Sequence, residues 1–341
     1  MTRPTRQRSP TITDVAKLAD VSITTVSFVL NNVADRSIPD ETRNRVKAAA
    51  DRLGYRPNAA AKLLRTSRSH TIGFITDEIA TTPFAVDIIR GAQEAAWAHG
   101  KVLIIVNTGS NEGIRDSAIE VMLERRVEGL IYAAMFHQLV DIRLPSHDVP
   151  VVLLDCVAAD ASVASVVPDE VGGGYTATDV LLQAGHRRIG FICLRPDIPA
   201  SVGRTQGYRQ ALETYGVPFD PSLVRYTGDS SHDEGYDFAK ELMSIPDPPT
   251  ALFCGNDRTA MAAYDALKEL GLRIPEGVAV VGFDNQEIIA AHLRPPLSTV
   301  ALPHFDMGQW AVNYLIQATH RADEPPVQHK MPCPYVARAS V

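Results

Sequence analysis

Hydrophobic positions in the first 56 residues recur with helical spacing, and polar residues fill the faces between them. The pattern predicts helices at about 13–20 and 23–31, and a third helix that opens at Ile38-Pro39-Asp40 and ends near Gly54. The residues predicted to face one shared core are Val15, Ala16, Ala19, Val21, Val26, Val29, Leu30, Val46, Ala49, Ala50 and Leu53. The first 56 residues are therefore expected to form a small three-helix domain.

A short turn separates the first two predicted helices, as in a helix-turn-helix. Asp20-Val21-Ser22 forms this turn, and the Ser22 hydroxyl is placed to cap the second helix by accepting from free backbone N–H groups. The residues on the outer side and N-terminal end of the second helix are Ile23, Thr24, Ser27 and Phe28. In this motif that end enters the major groove, which makes the four residues candidate base readers. An ordinary helical hairpin within a larger core is the alternative interpretation.

From residue 71 the pattern changes to alternating strands and helices. Strands are predicted at 71–75, 102–106, 129–133, 151–155, 188–193, 223–226, 250–254, 278–283 and 335–336. Helices are predicted at 84–99, 114–125, after the three glycines at 172–174, and at 204–215, 235–243 and 260–270. The repeated βα units predict an α/β body with parallel sheets and helices on both faces. Two rounds of repeats indicate two stacked lobes with a cleft between them.

These patterns divide the chain into four parts. A disordered basic arm is predicted at 1–11, a helix-turn-helix domain at 12–56, a short helix with a linker at 57–69, and the two-lobed body at 70–341. The helix at 57–65 has only about two turns and needs a partner to persist. Lobe 1 is expected at about 70–167 and 300–331, and lobe 2 at about 168–299 and 332–341. The glycines at 172–174 are interpreted as a flexible approach to a helix, with close packing as a further role.

Charge is divided unevenly along the chain. Residues 1–70 contain 13 Lys or Arg and 6 Asp or Glu, a formal charge of +7, whereas the remainder contains 20 and 34, a charge of −14. A basic head on an acidic body suits an anionic partner at one end only. The acidic body discourages non-specific wrapping of nucleic acid.

Several protein classes are disfavoured by the chain's composition. No run of 18 apolar residues occurs, which predicts no transmembrane helix. Arg3, Arg6 and Arg8 are not followed by an apolar run, so no secretory signal is expected and the protein is placed in the cytoplasm. The four cysteines have no metal-ligand spacing and are expected to be buried thiols: Cys156, Cys193, Cys254 and Cys333.

Polar side chains follow several predicted strands of the body, where parallel sheets bind their ligands. The candidate ligand contacts are Asp77, Glu78, Phe84, Asp155, Arg204, Asn256 and Asp284. Carboxylates, an amide, a guanidinium and an aromatic ring together suit a neutral polyol, although they also suit other small polar ligands. Some of these residues have a simpler explanation, because Asp and Asn after strands often cap helices. Asp257 is also interpreted as such a cap. Asp77 and Glu78 are equally well explained as solvated loop carboxylates.

No catalytic chemistry is indicated by the sequence. The histidines have no metal-ligand spacing, no Ser-His-Asp arrangement or nucleophile elbow is visible, and 172–174 lacks the pattern of a phosphate-binding loop. We therefore expect no cofactor, no metal and no enzymatic activity. A transport receptor and an enzyme of sugar or nucleoside metabolism are the alternatives, and turnover of candidate ligands would reveal the enzyme.

Motifs in both halves of the chain then point to one family. The head contains Thr13-Asp14-Val15-Ala16, Val21-Ser22, Thr25-Val26-Ser27, Leu30-Asn31 and Leu53-Gly54-Tyr55-Arg56-Pro57-Asn58-Ala59. The body contains Gly185-His186-Arg187-Arg188-Ile189-Gly190-Phe191-Ile192, Arg204-x-x-Gly207-Tyr208, Asn256-Asp257 and Val281-Gly282-Phe283-Asp284. In this order the motifs resemble the LacI/GalR family of bacterial transcription regulators, and the likeness covers residues 11–341.

The resemblance implies a homodimer whose heads read a near-palindromic operator, with a periplasmic-binding-protein-like body that holds a small effector. It implies that the helix at 57–65 is a hinge helix and that Leu64 is a wedge in the minor groove. The residues expected at the DNA backbone are Lys17, Ser22, Thr25, Arg43, Asn58, Lys62 and Arg65. By position, the family's effector contacts correspond to Asp155, Arg204, Asn256 and Asp284.

Two residues depart from the family pattern. Phe28 stands where an Arg usually follows Thr-Val-Ser, and that Arg commonly reads guanine. Phe28 is expected to change the base preference, by contacting a thymine methyl group or by packing on the backbone. Leu302 replaces a polar residue on the segment that returns to lobe 1, so the effector is expected to lose a hydrogen bond or to be less polar there.

The function expected from the sequence is that of a repressor of carbohydrate-utilisation genes, relieved by a sugar-like effector between the lobes. The identity of the effector, its sense as inducer or corepressor, and the operator sequence are left open.

Overall fold

The computed structural model describes residues 10–31, 38–56, 69–82, 85–109, 111–142, 149–228, 232–318 and 325–341. The chain divides into two units, Met1–Ser69 and His70–Val341. Residues 1–9 of the predicted basic arm at 1–11, the predicted hinge helix at 57–65 and Phe84 fall outside the described residues.

Three helices form the described part of the first unit: α1 Ile12–Ala19, α2 Ile23–Leu30 and α3 Asp40–Leu53. The Asp14 carboxylate accepts from the Thr11 backbone N–H and hydroxyl at 2.8 and 2.7 Å, which fixes the start of α1. The Ser22 hydroxyl accepts from the Thr25 N–H at 3.0 Å and caps α2, as predicted. Asp20 and Gly54 end α1 and α3 with positive φ angles of 51° and 64°.

The core of this unit confirms the apolar pattern. Its fully buried members are Val15, Ala16, Ala19, Val26, Val29, Val46, Ala49 and Ala50, and Val21, Leu30 and Leu53 pack partly buried against them. Small residues dominate, so the three helices approach closely and leave the polar face of α2 outside.

The first lobe of the second unit contains a six-stranded parallel sheet in the order β11-β5-β4-β3-β1-β2. Its strands are β1 Thr71–Thr76, β2 Val102–Asn107, β3 Leu130–Val140, β4 Val151–Ala158, β5 Ala164–Pro168 and β11 Gln328–Met331. The helices of this lobe are α4 Val86–Ala98, α5 Glu112–Glu124 and α11 His304–Ala318. A one-turn 3-10 helix, Ile79–Thr81, follows β1.

The second lobe contains another six-stranded sheet, in the order β12-β10-β9-β8-β6-β7. Its strands are β6 Ile189–Cys193, β7 Val224–Tyr226, β8 Ala251–Cys254, β9 Ala279–Asp284, β10 Ser298–Ala301 and β12 Tyr335–Val336. All are parallel except β12, which runs antiparallel to β10. The helices are α6 Glu170–Gln183, α7 Pro199–Thr214, α8 His232–Ser244, α9 Asp257–Glu269 and α10 Glu287–Ala290, and a 3-10 turn spans Pro221–Leu223.

The two-lobed α/β architecture with parallel sheets confirms the predicted fold class. The predicted return to lobe 1 at about residue 300 falls near the end of β10, which pairs in the second sheet through Ala301. The chain leaves that sheet at Leu302 and Pro303 and enters α11, which packs on α4 in lobe 1.

The glycines at 172–174 also have a different setting from the one predicted. They lie inside α6, which begins at Glu170 after the N-cap Asp169, and not before a helix. A Cβ atom on Gly174 would lie 2.5 Å from the Arg204 carbonyl oxygen, and one on Gly207 would lie 2.1 Å from the Val171 carbonyl oxygen. The glycines therefore allow α6 and α7 to pack backbone against backbone, which is the close packing that the sequence also suggested.

The four cysteines are buried and unpaired with one another, as expected for structural thiols. Within the described ranges, no helix has the length and apolarity needed to cross a membrane.

Candidate functional site

The first turn of α2 presents the predicted base readers unequally. Ile23 is 47% exposed and Thr24 is also exposed, whereas Thr25, Ser27 and Phe28 are half-buried. The Ser27 carbonyl accepts from the Asn31 side-chain amide at 2.7 Å, which secures the end of the helix. Ile23 and Thr24 are thus the more accessible pair, with Phe28 one turn further along the same helix.

Two of the predicted backbone contacts, Lys17 and Ser22, are exposed on the described surface of the head. Arg43 is half-buried, and its Nε donates to the Ile38 carbonyl at 3.3 Å. The remaining members of the predicted DNA contacts lie outside the described residues: Asn58, Lys62, Leu64 and Arg65.

A cavity of about 160 Å³ lies between the two lobes of the second unit. Lobe 1 lines it with residues from β3 and β4, and lobe 2 lines it with residues at the carboxyl ends of its strands and at the starts of α6, α7 and α9. Four of the predicted ligand contacts line this cavity: Asp155, Arg204, Asn256 and Asp284. The structure brings these four together from four separate segments of the chain.

Arg204 is the central cation of the cavity wall. Its side chain is 3% exposed, and its Nε donates to Glu170 Oε2 at 2.7 Å. Its Nη1 donates to the Gly255 carbonyl and lies 3.8 Å from Asp284 Oδ1, and the guanidinium lies 3.7 Å from the centre of the Phe283 ring. Although burial acts against the charged form, Glu170 and Asp284 keep the pKa of Arg204 above its usual range. The guanidinium is therefore a fixed positive charge whose partners are already in place.

The packing of α6 against α7 explains why Glu170 meets Arg204. A Cβ atom on Gly203 would lie 2.5 Å from the Glu170 Cβ, so only glycine at 203 allows the start of α6 to sit beside α7. With the helices this close, Glu170 in the first turn of α6 lies directly beside Arg204 in α7. The pair is thus a product of backbone contact between two helices, not of a flexible loop.

Asp155 supplies a buried carboxylate from lobe 1. It lies within β4 with a φ of +56°, in the left-handed region, and is only 2% exposed. Its Oδ1 has no hydrogen-bond partner among the described residues, and its Oδ2 lies 4.0 Å from His304 Nε2. Burial raises the pKa of the Asp155 carboxyl well above its usual value, and the Glu170 carboxylate adds to this effect. A strained, buried and unsatisfied acceptor of this kind indicates a ligand-binding position.

Asp284 and Asn256 complete the polar wall on lobe 2. Asp284 ends β9 with a φ of +102°, and its carboxylate accepts from Gln286 Nε2 at 3.0 Å. Burial raises the pKa of Asp284 to about 6, with Arg204 opposing that shift. The Asn256 amide oxygen accepts from the Thr259 N–H at 2.8 Å and caps α9.

Asp257 was considered as a helix cap, but it does not cap α9. Asn256 is the N-cap, and the Asp257 carboxylate accepts from the Thr299 hydroxyl and the Gln286 backbone N–H, both at 2.6 Å. Asp257 therefore ties the start of α9 to β10 and to the segment after β9.

The structure does not bring Asp77 and Glu78 to the cavity, since neither is among the described residues that line it. Asp77 Oδ2 accepts from the Met135 N–H at 3.2 Å and from Gln138 Nε2 at 3.4 Å, which fastens the end of β1 to β3. Glu78 is exposed. The third predicted contact of this segment, Phe84, lies outside the described residues.

Four polar residues that line the cavity were missed by the sequence reasoning: the exposed Arg195 and Arg258, and the less accessible His137 and Glu170. His137 lies on β3, with its Nδ1 buried and 4.0 Å from Glu170 Oε1. The prediction ended this strand at residue 133, whereas β3 continues to Val140 across a register break between Ala133 and Gln138. Glu170 was missed because α6 was predicted to begin after the glycines. The Asp-Glu pair at 169–170, an N-cap followed by a first-turn acid, is the signal that would have located it.

Apolar side chains also line the cavity. Phe136 from lobe 1 packs against a small cluster of Leu194, Ile198 and Ala200 from lobe 2, and Leu302 also lines the space. The cavity therefore offers polar and charged groups together with an apolar surface that suits the C–H face of a ring.

Both units match models of the same protein family. Residues 11–58 match the family model described as bacterial regulatory proteins of the lacI family. Residues 69–339 match the model described as periplasmic binding proteins and sugar binding domain of the LacI family.

Similar full-length proteins are transcriptional repressors. The ribose operon repressor of Escherichia coli (strain K12) is 33% identical over 327 residues, which is 94% of this chain and 95% of that protein. The HTH-type transcriptional repressor PurR of Vibrio atlanticus is 32% identical over 333 residues, which is 97% of this chain and 98% of that protein.

Solved structures of similar proteins include DNA and ligand complexes. The lac repressor dimer bound to operator and the anti-inducer ONPF is 26% identical, with a TM-score of 0.79 over 98% of this chain and 99% of that one. The complex of the transcriptional regulator CelR with cellobiose is 31% identical, with a TM-score of 0.68 over 97% of this chain and all of that one.

Proposed function

Since the chain belongs to the LacI family of bacterial regulatory proteins and is a DNA-binding transcriptional regulator, we propose that it represses carbohydrate-utilisation genes and releases its operator when a sugar-like molecule binds between the lobes. One observation carries the proposal. A single chain combines a helix-turn-helix, whose recognition helix exposes its first turn, with a cavity that holds a strained, buried and unsatisfied carboxylate.

The DNA side of the proposal rests on α2 and on the charge of the head. Ile23 and Thr24 are exposed at the N-terminal end of the recognition helix, and Ser27 and Phe28 follow on its outer side. The basic head attracts phosphate while the acidic body does not. We assign base reading to these four residues, and backbone contact to Lys17, Ser22, Thr25, Arg43, Asn58, Lys62 and Arg65.

Dimerisation on a near-palindromic operator is part of the same proposal. It is supported by the similar lac repressor structure, which is a dimer bound to operator. In that arrangement the segment 57–65 would act as the hinge helix and Leu64 as the minor-groove wedge. A two-fold symmetric protein reads two half-sites in opposite orientation, so the operator should carry that symmetry.

The effector side rests on the composition of the cavity. Asp155, Asp284 and Asn256 supply oxygen and amide groups that bind hydroxyls, and Arg204 supplies donors on a buried, fixed plane. The apolar surface suits the ring of a sugar. Ribose and cellobiose occur in the names of a similar repressor and a similar regulator complex, which supports a carbohydrate as the ligand.

Release of DNA requires that the effector bind better to one arrangement of the lobes than to another. The cavity is lined by both lobes, so a ligand that contacts Asp155 and Arg204 together ties lobe 1 to lobe 2. By linkage, operator DNA then weakens effector binding by the same factor by which effector weakens DNA binding.

We further propose that the protein is not an enzyme and that it acts in the cytoplasm, where its operator lies. The similar proteins are transcriptional repressors.

Selection of binding sites by the full-length protein from random duplex DNA tests the proposal. We expect enrichment of one near-palindromic sequence, bound with an affinity that falls steeply with salt. A thermal-shift screen against sugars, polyols, sugar phosphates and nucleobases then identifies the effector class, because a ligand that binds the folded state raises its melting temperature. Failure to enrich any sequence would contradict the regulatory function, whatever the ligand screen shows.

A further inference from the structure

We propose that Glu170 and His137, together with Asp155, make the cavity selective for an uncharged polyol and close it to anionic ligands such as sugar phosphates. This inference rests on the proposed function and concerns the same cavity. It assigns roles to Glu170 and His137, two residues that neither the sequence motifs nor the family resemblance singled out.

An anionic ligand would be drawn to the positive charge of Arg204. Arg204 is the buried cation of the cavity, and Glu170 Oε2 already accepts from its Nε at 2.7 Å, with Asp284 Oδ1 3.8 Å from its Nη1. Both members of the Arg204–Glu170 pair are nearly inaccessible, with side-chain exposures of 3% and 4%. Glu170 therefore already balances the charge that an acidic group of a ligand would seek.

Positive charge in the buried part of the cavity is already balanced. Among the described lining residues, Glu170 is paired with the one buried guanidinium, and the carboxyl groups of Asp155 and Asp284 also line the space. The other two lining cations, Arg195 and Arg258, are exposed, and Arg195 is paired with Asp197 at 2.8 Å. A ligand anion in the interior would thus find no unbalanced positive charge where water does not screen it.

Two polar atoms of the cavity lack a partner among the residues that the structure describes. Asp155 Oδ1 and His137 Nδ1 are both buried, and neither has a hydrogen-bond partner within the described ranges. Burial lowers the pKa of His137, with Glu170 opposing the shift, so the imidazole is neutral at pH 7 and adds no positive charge. A ligand hydroxyl both donates and accepts, so hydroxyls satisfy the Asp155 carboxyl and the neutral imidazole alike.

The lining residues also indicate the kind of ligand that fits. The two unsatisfied atoms come from β3 and β4, which are neighbouring strands of lobe 1, whereas Glu170 and Arg204 come from lobe 2. The ring of Phe136 and the side chain of Ile198 supply apolar surface. A ring or chain that carries both hydroxyls and C–H groups meets both kinds of surface, which describes a neutral sugar or polyol.

Calorimetric titration of the full-length protein with matched pairs of ligands tests this inference. The probes are D-ribose with D-ribose 5-phosphate, and D-glucose, D-galactose and D-fructose, each with its 6-phosphate. We expect at least one free sugar to bind and its phosphate ester to bind about a hundredfold more weakly or not at all, since a buried unpaired charge costs several-fold more than a lost hydrogen bond. Equal or tighter binding of the ester would overturn the inference, as would the failure of all the free sugars to bind. The regulatory function would still stand in either case if the protein selects an operator.

Glu170→Gln identifies the residue responsible. The substitution keeps an amide oxygen as an acceptor for Arg204 Nε but removes the negative charge. We therefore expect the ratio of the dissociation constants of the ester and the free sugar to fall about tenfold or more. Glu269→Gln is the matched control, because Glu269 is a carboxylate of lobe 2 paired on the surface with Lys240. An unchanged ratio in Glu170→Gln would overturn the role of Glu170.

His137→Ala tests the second residue. We expect the affinity for the free sugar to fall about tenfold, while the melting temperature of the ligand-free protein changes little because His137 Nδ1 has no described partner to lose. His99→Ala is its control, because His99 lies on lobe 1 and bonds Asn313 away from the cavity. Unchanged affinity in His137→Ala would remove His137 from the site.

Discussion

Arg204 donates to Glu170 across the contact between α7 and α6, at 2.7 Å and with both side chains nearly inaccessible. This buried pair forms one wall of the cavity between the lobes, so the stability of lobe 2 and the recognition of the effector depend on the same contact.

Removal of one member of the pair should destabilise the body. Glu170→Ala leaves the Arg204 guanidinium buried without its main partner, and we expect the free energy of unfolding to fall by about 3 kcal/mol. Glu170→Gln, which keeps an acceptor, should lose less than half of that. Urea denaturation followed by tryptophan fluorescence measures both, and equal losses for the two variants would show that charge pairing is not the stabilising factor.

Gly174 should be intolerant of even one methyl group. A Cβ atom there would lie 2.5 Å from the backbone oxygen of Arg204, so Gly174→Ala must separate α6 from α7. We expect a loss of about 2 kcal/mol or more in the free energy of unfolding, together with loss of effector binding. Gly113→Ala is the control: Gly113 also lies within a helix, but its nearest contact would be 3.4 Å from a side-chain oxygen, and alanine there should be neutral or slightly stabilising.

Asp284 should make the stability of the body depend on pH. Burial raises the pKa of its carboxyl to about 6 from an ordinary value of 3.8, so the folded state holds the proton more tightly than the unfolded chain does. The stability that this group contributes is present in full below pH 4 and is lost as the pH rises through about 6. Asp284→Asn cannot ionise, so the variant should gain stability relative to the native protein between pH 4 and pH 7. A difference in unfolding free energy that stays constant over this range, measured in urea at each pH, would rule out the raised pKa.

Phe28 should set a base preference unlike that of its relatives. A phenyl ring cannot make the paired hydrogen bonds by which Arg reads guanine, and it favours an apolar contact such as a thymine methyl. We expect Phe28→Arg to shift selection at one position of each half-site towards guanine, whereas Arg209→Ala on the surface of the body should leave the selected sequence unchanged. If the native protein selects the same base at that position as Phe28→Arg does, Phe28 does not read the operator.

The sequence predicts the head more completely than it predicts the body. The apolar spacing in the head identified the buried faces of all three helices, because short helices with one dry face have a clear period. In the body, the order of strands and helices followed from alternating patterns. The four predicted contacts that line the cavity were found by looking for polar residues after predicted strands of a parallel sheet. Their contact with an effector remains a prediction.

The parts that the sequence does not predict depend on contacts between distant segments. His137 reaches the cavity only because β3 shifts its register against β4 and runs on to Val140, which no local pattern signals. Glu170 meets Arg204 only because glycines in α6 and α7 remove the side chains between the two helices. Asp77 was predicted at the cavity. It instead accepts from the Met135 N–H, because β3 runs beside β1 and brings Met135 to the end of that strand.

The central claim is that a ligand in the cavity controls the affinity of the head for DNA. Fluorescence anisotropy of the selected operator, titrated with full-length protein with and without a saturating free sugar that binds it, measures this coupling directly. We predict that the sugar weakens operator affinity by about tenfold to a hundredfold. We also predict that Asp155→Asn binds the operator as the native protein does but responds far less to the same sugar concentration. An operator affinity that is the same with and without the bound sugar would contradict the account.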